Sequence, residues 1–207
     1  MARNEARQQK ALMKKRQKDK LRKKKNQKNS IFTMKSSLLK TVREYPIHEC
    51  LINDFWSKSG LATIIISRIM PNGDIIFGDY LVDVFCLGLK DTFYKINVPL
   101  SAYENEFKPM ASRRSRLTEC PVTLAHQIIY GAIDYARDIG FEPHKDFKFS
   151  KYILEEPEKF EKRSDIKFGK DGKPFFVAGP YDNVKKIIKT LESKLGSDNF
   201  NFLIMDR

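Results

Sequence analysis

Asn72-Gly73 stands between two runs of β-branched and aromatic residues, LATIIISRIM (61–70) and IIFGDYLVDVFCLG (75–88). An Asn-Gly pair tolerates the positive φ angles that a tight hairpin turn requires. Strands joined this closely must run antiparallel, because a parallel return needs a crossover of about a dozen residues or more. The hairpin therefore commits the body of the chain to an antiparallel sheet. DTFYKINVP (91–99) predicts a third strand of the same meander. Gly78, inside the return strand, predicts a bulge or bend.

The flanking segments predict helices and a closing strand. LINDFWSKSG (51–60) reads as a short helix stopped at Gly60. SAYE, Ser101 to Glu104, has capping-box spacing and predicts a helix start. PVTLAHQIIYGAIDYARDIG (121–140) is the strongest helix signal. Pro121 opens it and Gly140 closes it, and Ala125, Ile128, Ile129, Ala132, Ile133, Ala136 and Ile139 form one apolar stripe. Asp171-Gly172 predicts a second hairpin. YDNVKKIIKTLESKLG (181–196) predicts a helix capped by Asp182 and stopped by Gly196, and NFNFLIM (199–205) a final strand. The succession predicts an α+β fold, a two-layer domain with antiparallel hairpins packed on helices.

Charge divides the chain differently. The first 29 residues carry thirteen Lys and Arg against Glu5 and Asp19, so +11 of the net +13 sits there. The densest part runs through Lys14, Lys15, Arg16, Lys18, Lys20, Arg22, Lys23, Lys24, Lys25 and Lys28. Leu12, Met13 and Leu21 are its only large apolar residues beyond Met1, too few to offset the entropy of ordering. It contains no Gly or Pro and is rich in helix formers, so disorder or a fraying helix is expected in isolation and a helix or extended arm on binding. Three regions follow: a polybasic tail (1–29), a mildly amphipathic linker or docking segment (30–45), and a single α+β domain (46–207).

A polycation of this density points to a polyanion. Each phosphate neutralised by Lys or Arg releases condensed counterions, so affinity rises steeply with the number of contacts. Lysines contact phosphates without reading bases, which suits structured RNA. An anionic membrane surface fits less well, because the tail has no large apolar face to insert. A nuclear-localisation signal is a further reading of such a run in a eukaryotic chain. A second basic cluster, Arg113, Arg114 and Arg116 with Lys108 nearby, is expected in a loop and would supply further phosphate contacts. In composition and position the tail resembles the basic extensions of ribosomal and ribosome-associated proteins.

Other classes are excluded or left as alternatives. Cys50, Cys86 and Cys120 are an odd number without close spacing in sequence, which argues against a disulfide framework and fits a reducing cytosolic compartment. Without CxxC spacing no structural zinc site is expected. No apolar run reaches membrane-spanning length. GKDGKP (169–174) is no phosphate loop, since Pro174 and a strand follow where a helix must begin. Asp83 sits in an apolar row with Leu81, Phe85 and Leu87 if the strand continues, where an unpaired carboxylate is costly. With Asp91, His126 and His144 it could hold a divalent metal for phosphodiester hydrolysis.

Three body segments, GDYLVDVFCLGLKDTFY (78–94), LAHQIIYGAIDYARDIGFEPHKDF (124–147) and FVAGPYDNVKKIIKTLE (176–192), resemble conserved bacterial proteins that carry no assigned activity. The resemblance implies that Asp83, Asp91, His126, His144 and Asp182 matter beyond filling space. The chain thus reads as an RNA-binding, ribosome-associated cytoplasmic protein that needs no cofactor. The alternatives are a metal-dependent hydrolase or nuclease centred on Asp83, and a protein–protein adaptor localised by its tail.

Overall fold

The computed structural model describes residues 41–113, 115–160 and 165–204. The polybasic tail, the linker up to residue 40 and Arg114 lie outside them. The compact unit begins at Val42, whose side chain is fully buried.

The body is α+β, as expected. Strands β1 (Ile47–Asn53), β2 (Leu61–Ile69), β3 (Ile75–Asp83), β4 (Gly88–Val98) and β5 (Leu117–Glu119) form one antiparallel sheet in the order β4-β3-β2-β1-β5. The β2–β3 hairpin is continuous from Leu61↔Asp83 to Ile69↔Ile75. Its loop closes by two backbone bonds, the Met70 N–H donating to the Asp74 carbonyl and the Gly73 N–H to the Met70 carbonyl, with Gly73 at φ 83°. Asn72 adds a local bond, its Oδ1 accepting from the Asp74 N–H.

Strand β1 corrects the helix expected from Leu51. The helix exists only as the single turn Trp56–Ser59 (α1), with Gly60 left-handed behind it. Leu51 and Ile52 instead pair with β2 on one side and β5 on the other, and Asn53 pairs with β5. Gly78 is not a bulge: it pairs in register with Ile66 and Tyr94. The Tyr80 side chain lies across the space a Cβ would fill there. The irregularities of β3–β4 fall between Ile75 and Phe77 and between Leu81 and Val82. Strand β3 also stops at Asp83, so Val84 to Leu87 form a turn and not the continued alternation.

One sheet face is sealed by α4 (Val122–Asp138), which packs against β1, β3 and β4. Ala125, Ile128, Ile129, Ala132, Ile133 and Ala136 are all buried, the stripe read from periodicity. Each fully buried Ile contributes about 1.5–3 kcal/mol. The helix approaches so closely that a Cβ on Gly88 would sit 2.7 Å from the Ala132 carbonyl oxygen.

Among the described residues the opposite face is covered only in part. There the helical stretch 100–111 packs on Leu51, Ile65, Ile75 and Phe77 through Tyr103 and Phe107. It consists of a turn Leu100–Ala102 (α2), a π-helical turn Tyr103–Phe107 and a turn Lys108–Ala111 (α3). Its N-cap is Pro99 and not Ser101, so the capping box does not form.

A smaller assembly closes the C-terminal part. A short turn, α5 (Phe147–Ser150), follows α4. Strands β6 (Phe175–Val177) and β7 (Asn201–Leu203) pair in parallel across helix α6 (Val184–Leu195). Asp171-Gly172 makes a tight turn with one bridge, Lys170 to Lys173, in place of a full hairpin. Asn183 caps α6, its side chain accepting from the Lys186 N–H. Asp182 is engaged elsewhere, with the Lys90 ammonium at 2.7 Å and the Gly179 N–H at 2.8 Å.

Candidate nucleic-acid interface

One residue of the basic cluster, Arg113, reaches the partly covered sheet face. Residue positions on that face follow from the register. Thr63, Ile65 and Ser67 of β2 lie opposite Leu81, Asp79 and Phe77 of β3, which lie opposite Asp91, Phe93 and Lys95 of β4. The 100–111 stretch covers one half of this grid. Its C-terminal end, with Phe107 and Met110, walls a cleft of about 410 Å³ over the other half, and Arg113 stands at the rim.

The cleft floor is aromatic and acidic. Phe77 packs edge-on against Phe93 at 5.9 Å between ring centroids and tilts against Phe107 at 5.3 Å. The Lys95 ammonium lies 4.7 Å from the Phe107 ring centre, a cation–π contact. Phe93 is 39% exposed, a large aromatic surface left open on a strand. Asp79, directly across from Phe93, has no hydrogen-bond partner for its carboxylate among the described residues. Burial pushes its carboxyl up to about 6, and the neighbouring Asp91 charge adds to the shift.

That shift has a stability consequence. Below its unfolded value of 3.8, Asp79 is protonated in both states and costs nothing. As pH rises towards about 6 the folded state holds a proton that the unfolded state has released, so stability falls, and above that window the loss is complete. Asp79→Asn is expected to stabilise the fold by about 3 kcal/mol at about pH 8 and to leave it unchanged at about pH 3, read from urea midpoints. A residue kept at such a cost marks a site more often than a scaffold position.

Arg113 and Arg116 are exposed, and neither guanidinium has an ion-pair partner among the described residues. Lys108 differs. It lies in α3 and not in a loop, and its ammonium is held by Glu49 at 2.7 Å and Glu104 at 3.3 Å. His48, Glu49 and Glu104 have the spacing of a metal-ligating trio. Lys108 already supplies their cation, and Tyr103 donates to Glu49 at 2.5 Å. The cluster is a network in which two carboxylates share one ammonium, and it fixes the π-helical turn to β1.

The acids and histidines singled out in the sequence are dispersed. Asp83 is buried in the turn after β3, where its Oδ1 accepts from the Phe85 and Cys86 N–H groups at 2.9 and 3.0 Å. Burial raises its pKa, partly countered by the Lys90 charge. Its carboxylate holds a tight turn and, among the described residues, pairs with no second acid or histidine. Asp91 and His144 do meet, Oδ1 to Nδ1 at 3.7 Å, at the edge of β4. His126 is buried on α4, its Nε2–H donating to the Glu155 carbonyl at 2.9 Å, and burial lowers its pKa. These positions do not converge on one centre.

Two further features lie outside the sequence expectations. Cys50 and Cys120 face each other as free thiols at 3.5 Å across β1 and the end of β5, a pair their spacing of seventy residues concealed. A second cavity of about 720 Å³ lies against α4, walled by His126, Tyr130, Tyr135 and Phe147. Asp79 was overlooked, although the alternation that drew attention to Asp83 places Asp79 in the same row. No family model, curated protein or solved structure matches the chain. Among the described residues no helix is long and apolar enough to cross a membrane.

Proposed function

We propose that this is an RNA-binding, ribosome-associated protein of the cytoplasm. Its polybasic segment supplies most of the affinity, and Arg113 and Arg116 supply a second set of phosphate contacts. The observation that carries the reading is the division of charge: +11 in 29 residues, against +2 in the other 178. Solubility alone does not call for such a division, since mixed or acidic surfaces serve it better. Arg113, exposed at the cleft, and Arg116, exposed just before β5, have no ion-pair partner among the described residues and support a bipartite contact, because guanidinium groups clamp phosphates bidentately.

The loop contribution has its own test. Arg113→Ala with Arg116→Ala is expected to weaken binding to structured RNA by about 10-fold. It should also lower the slope of log K against log salt by about 1–2, as expected for one lost phosphate contact per arginine. Fluorescence anisotropy over a salt series measures both. An unchanged slope would remove this loop from the interface.

A further inference from the structure

The geometry points to a subsite for one unpaired guanine base in the cleft between the 100–111 stretch and the open half of the sheet. The base would stack on Phe93 and pair its Watson–Crick edge with Asp79. This inference rests on the RNA reading and specifies what the cleft adds to it. Sequence-specific RNA recognition works on splayed, single-stranded bases stacked on aromatic side chains and hydrogen-bonded at their edges. Phe93 offers the stacking surface, and direct cross-strand neighbours have Cβ atoms only about 5 Å apart. A base lying on Phe93 therefore brings an edge over Asp79.

The choice of base follows from donor and acceptor chemistry. An ionised carboxylate only accepts. Guanine presents two adjacent donors on its Watson–Crick edge, N1–H and the N2 amino group. Adenine and cytosine each place an acceptor beside their donor, and uracil flanks its single N–H with two carbonyls. Among the described residues the Asp79 carboxylate has no partner, so a ligand with paired N–H groups would offset the cost of its burial. Arg113 at the rim is placed to hold the phosphate of the same nucleotide. The cleft volume of about 410 Å³ lies in the range of small-ligand sites, about 300–1,000 Å³.

The test uses the full chain and four RNA octamers read by fluorescence anisotropy at low salt. One is all uridine, and the others carry a single central guanosine, inosine or adenosine. The guanosine octamer is expected to bind about 10-fold tighter than the uridine octamer, the discrimination of one good bidentate contact. Inosine, which lacks the N2 amino group, should lose most of that advantage without any change to the protein. Asp79→Asn should abolish the preference of guanosine over uridine. Phe93→Ala should weaken all four by about 10-fold, the loss of one stacked base. The guanosine preference should fade as pH falls below about 6, where Asp79 takes up a proton. Tight binding of all four octamers without preference, or a preference that survives Asp79→Asn, overturns the subsite and leaves the RNA reading standing. Failure of the intact chain to bind any octamer overturns both.

Discussion

Removing residues 1–29 is expected to lower affinity for structured RNA by about 100-fold at about 50 mM salt and to flatten its salt dependence. The intact chain should lose about 1,000-fold in affinity between about 50 and 200 mM salt, as proteins making some six phosphate contacts do. The shortened chain, with a net charge of +2, should lose about 10-fold or less over the same range. The difference arises because each contact in the tail returns condensed counterions to solution, and their entropy gain shrinks as bulk salt rises. A shortened chain that binds as tightly, with the same slope, would mean that the contacts lie in the body.

The second large effect is on stability. Arg68 is only 2% exposed, on the sheet face beneath α4. Its guanidinium donates to the carbonyls of Ile153, Arg43 and Tyr45 and to the Glu155 carboxylate at 2.8 Å. One side chain thus ties β2 to the segment before β1 and to the segment after α5. Arg68→Ala is expected to cost about 3–5 kcal/mol, because Glu155 and three carbonyls lose their donor in a buried setting. That is a large part of the 5–15 kcal/mol total expected of a domain. Arg68→Lys should rescue little, since an ammonium cannot span partners arranged for a planar fork. Burial alone would raise the Glu155 pKa, but Lys159 and Arg68 together hold it below its ordinary 4.5. The stability drawn from that interaction is therefore present above 4.5 and lost as pH falls through the folded value. Urea denaturation of the three proteins at neutral and acid pH measures all of this.

Local chemistry made some elements legible and left others hidden. The β2–β3 hairpin announced itself because Asn72-Gly73 fixes the turn and β-branched residues fill both arms. Helix α4 was visible because one continuous stripe faces the sheet. Strand β1 was not, because Leu51 to Asn53 have no strong local preference and become strand only by pairing with β2 and β5. The parallel β6–β7 pair was equally hidden, since Phe175 and Asn201 meet only after α6 has brought the chain back. At the α6 start, Asp182 and Asn183 are both good caps, and the Lys90 ammonium decided between them by drawing Asp182 away. Arg68 carried no signal in the sequence, because its partners lie 23 to 87 residues distant.

The candidate interface divides the same way. Its charge could be read directly, because a run of cations needs no fold to be recognised. The cleft could not, because it depends on how far the 100–111 stretch reaches across the sheet. The π-helical turn that sets this reach is tied to β1 by contacts of Tyr103 and Lys108 with Glu49, which sequence spacing does not disclose.

The most direct test of the account is ultraviolet crosslinking of the intact protein to cellular RNA, followed by mapping of the crosslinked peptides. The account predicts ribosomal RNA as the main species recovered, with crosslinks in the first 29 residues and around Phe93 and Arg113 to Arg116. Crosslinks confined to the lysines of α6 and its surroundings, or no RNA recovered at all, would contradict it.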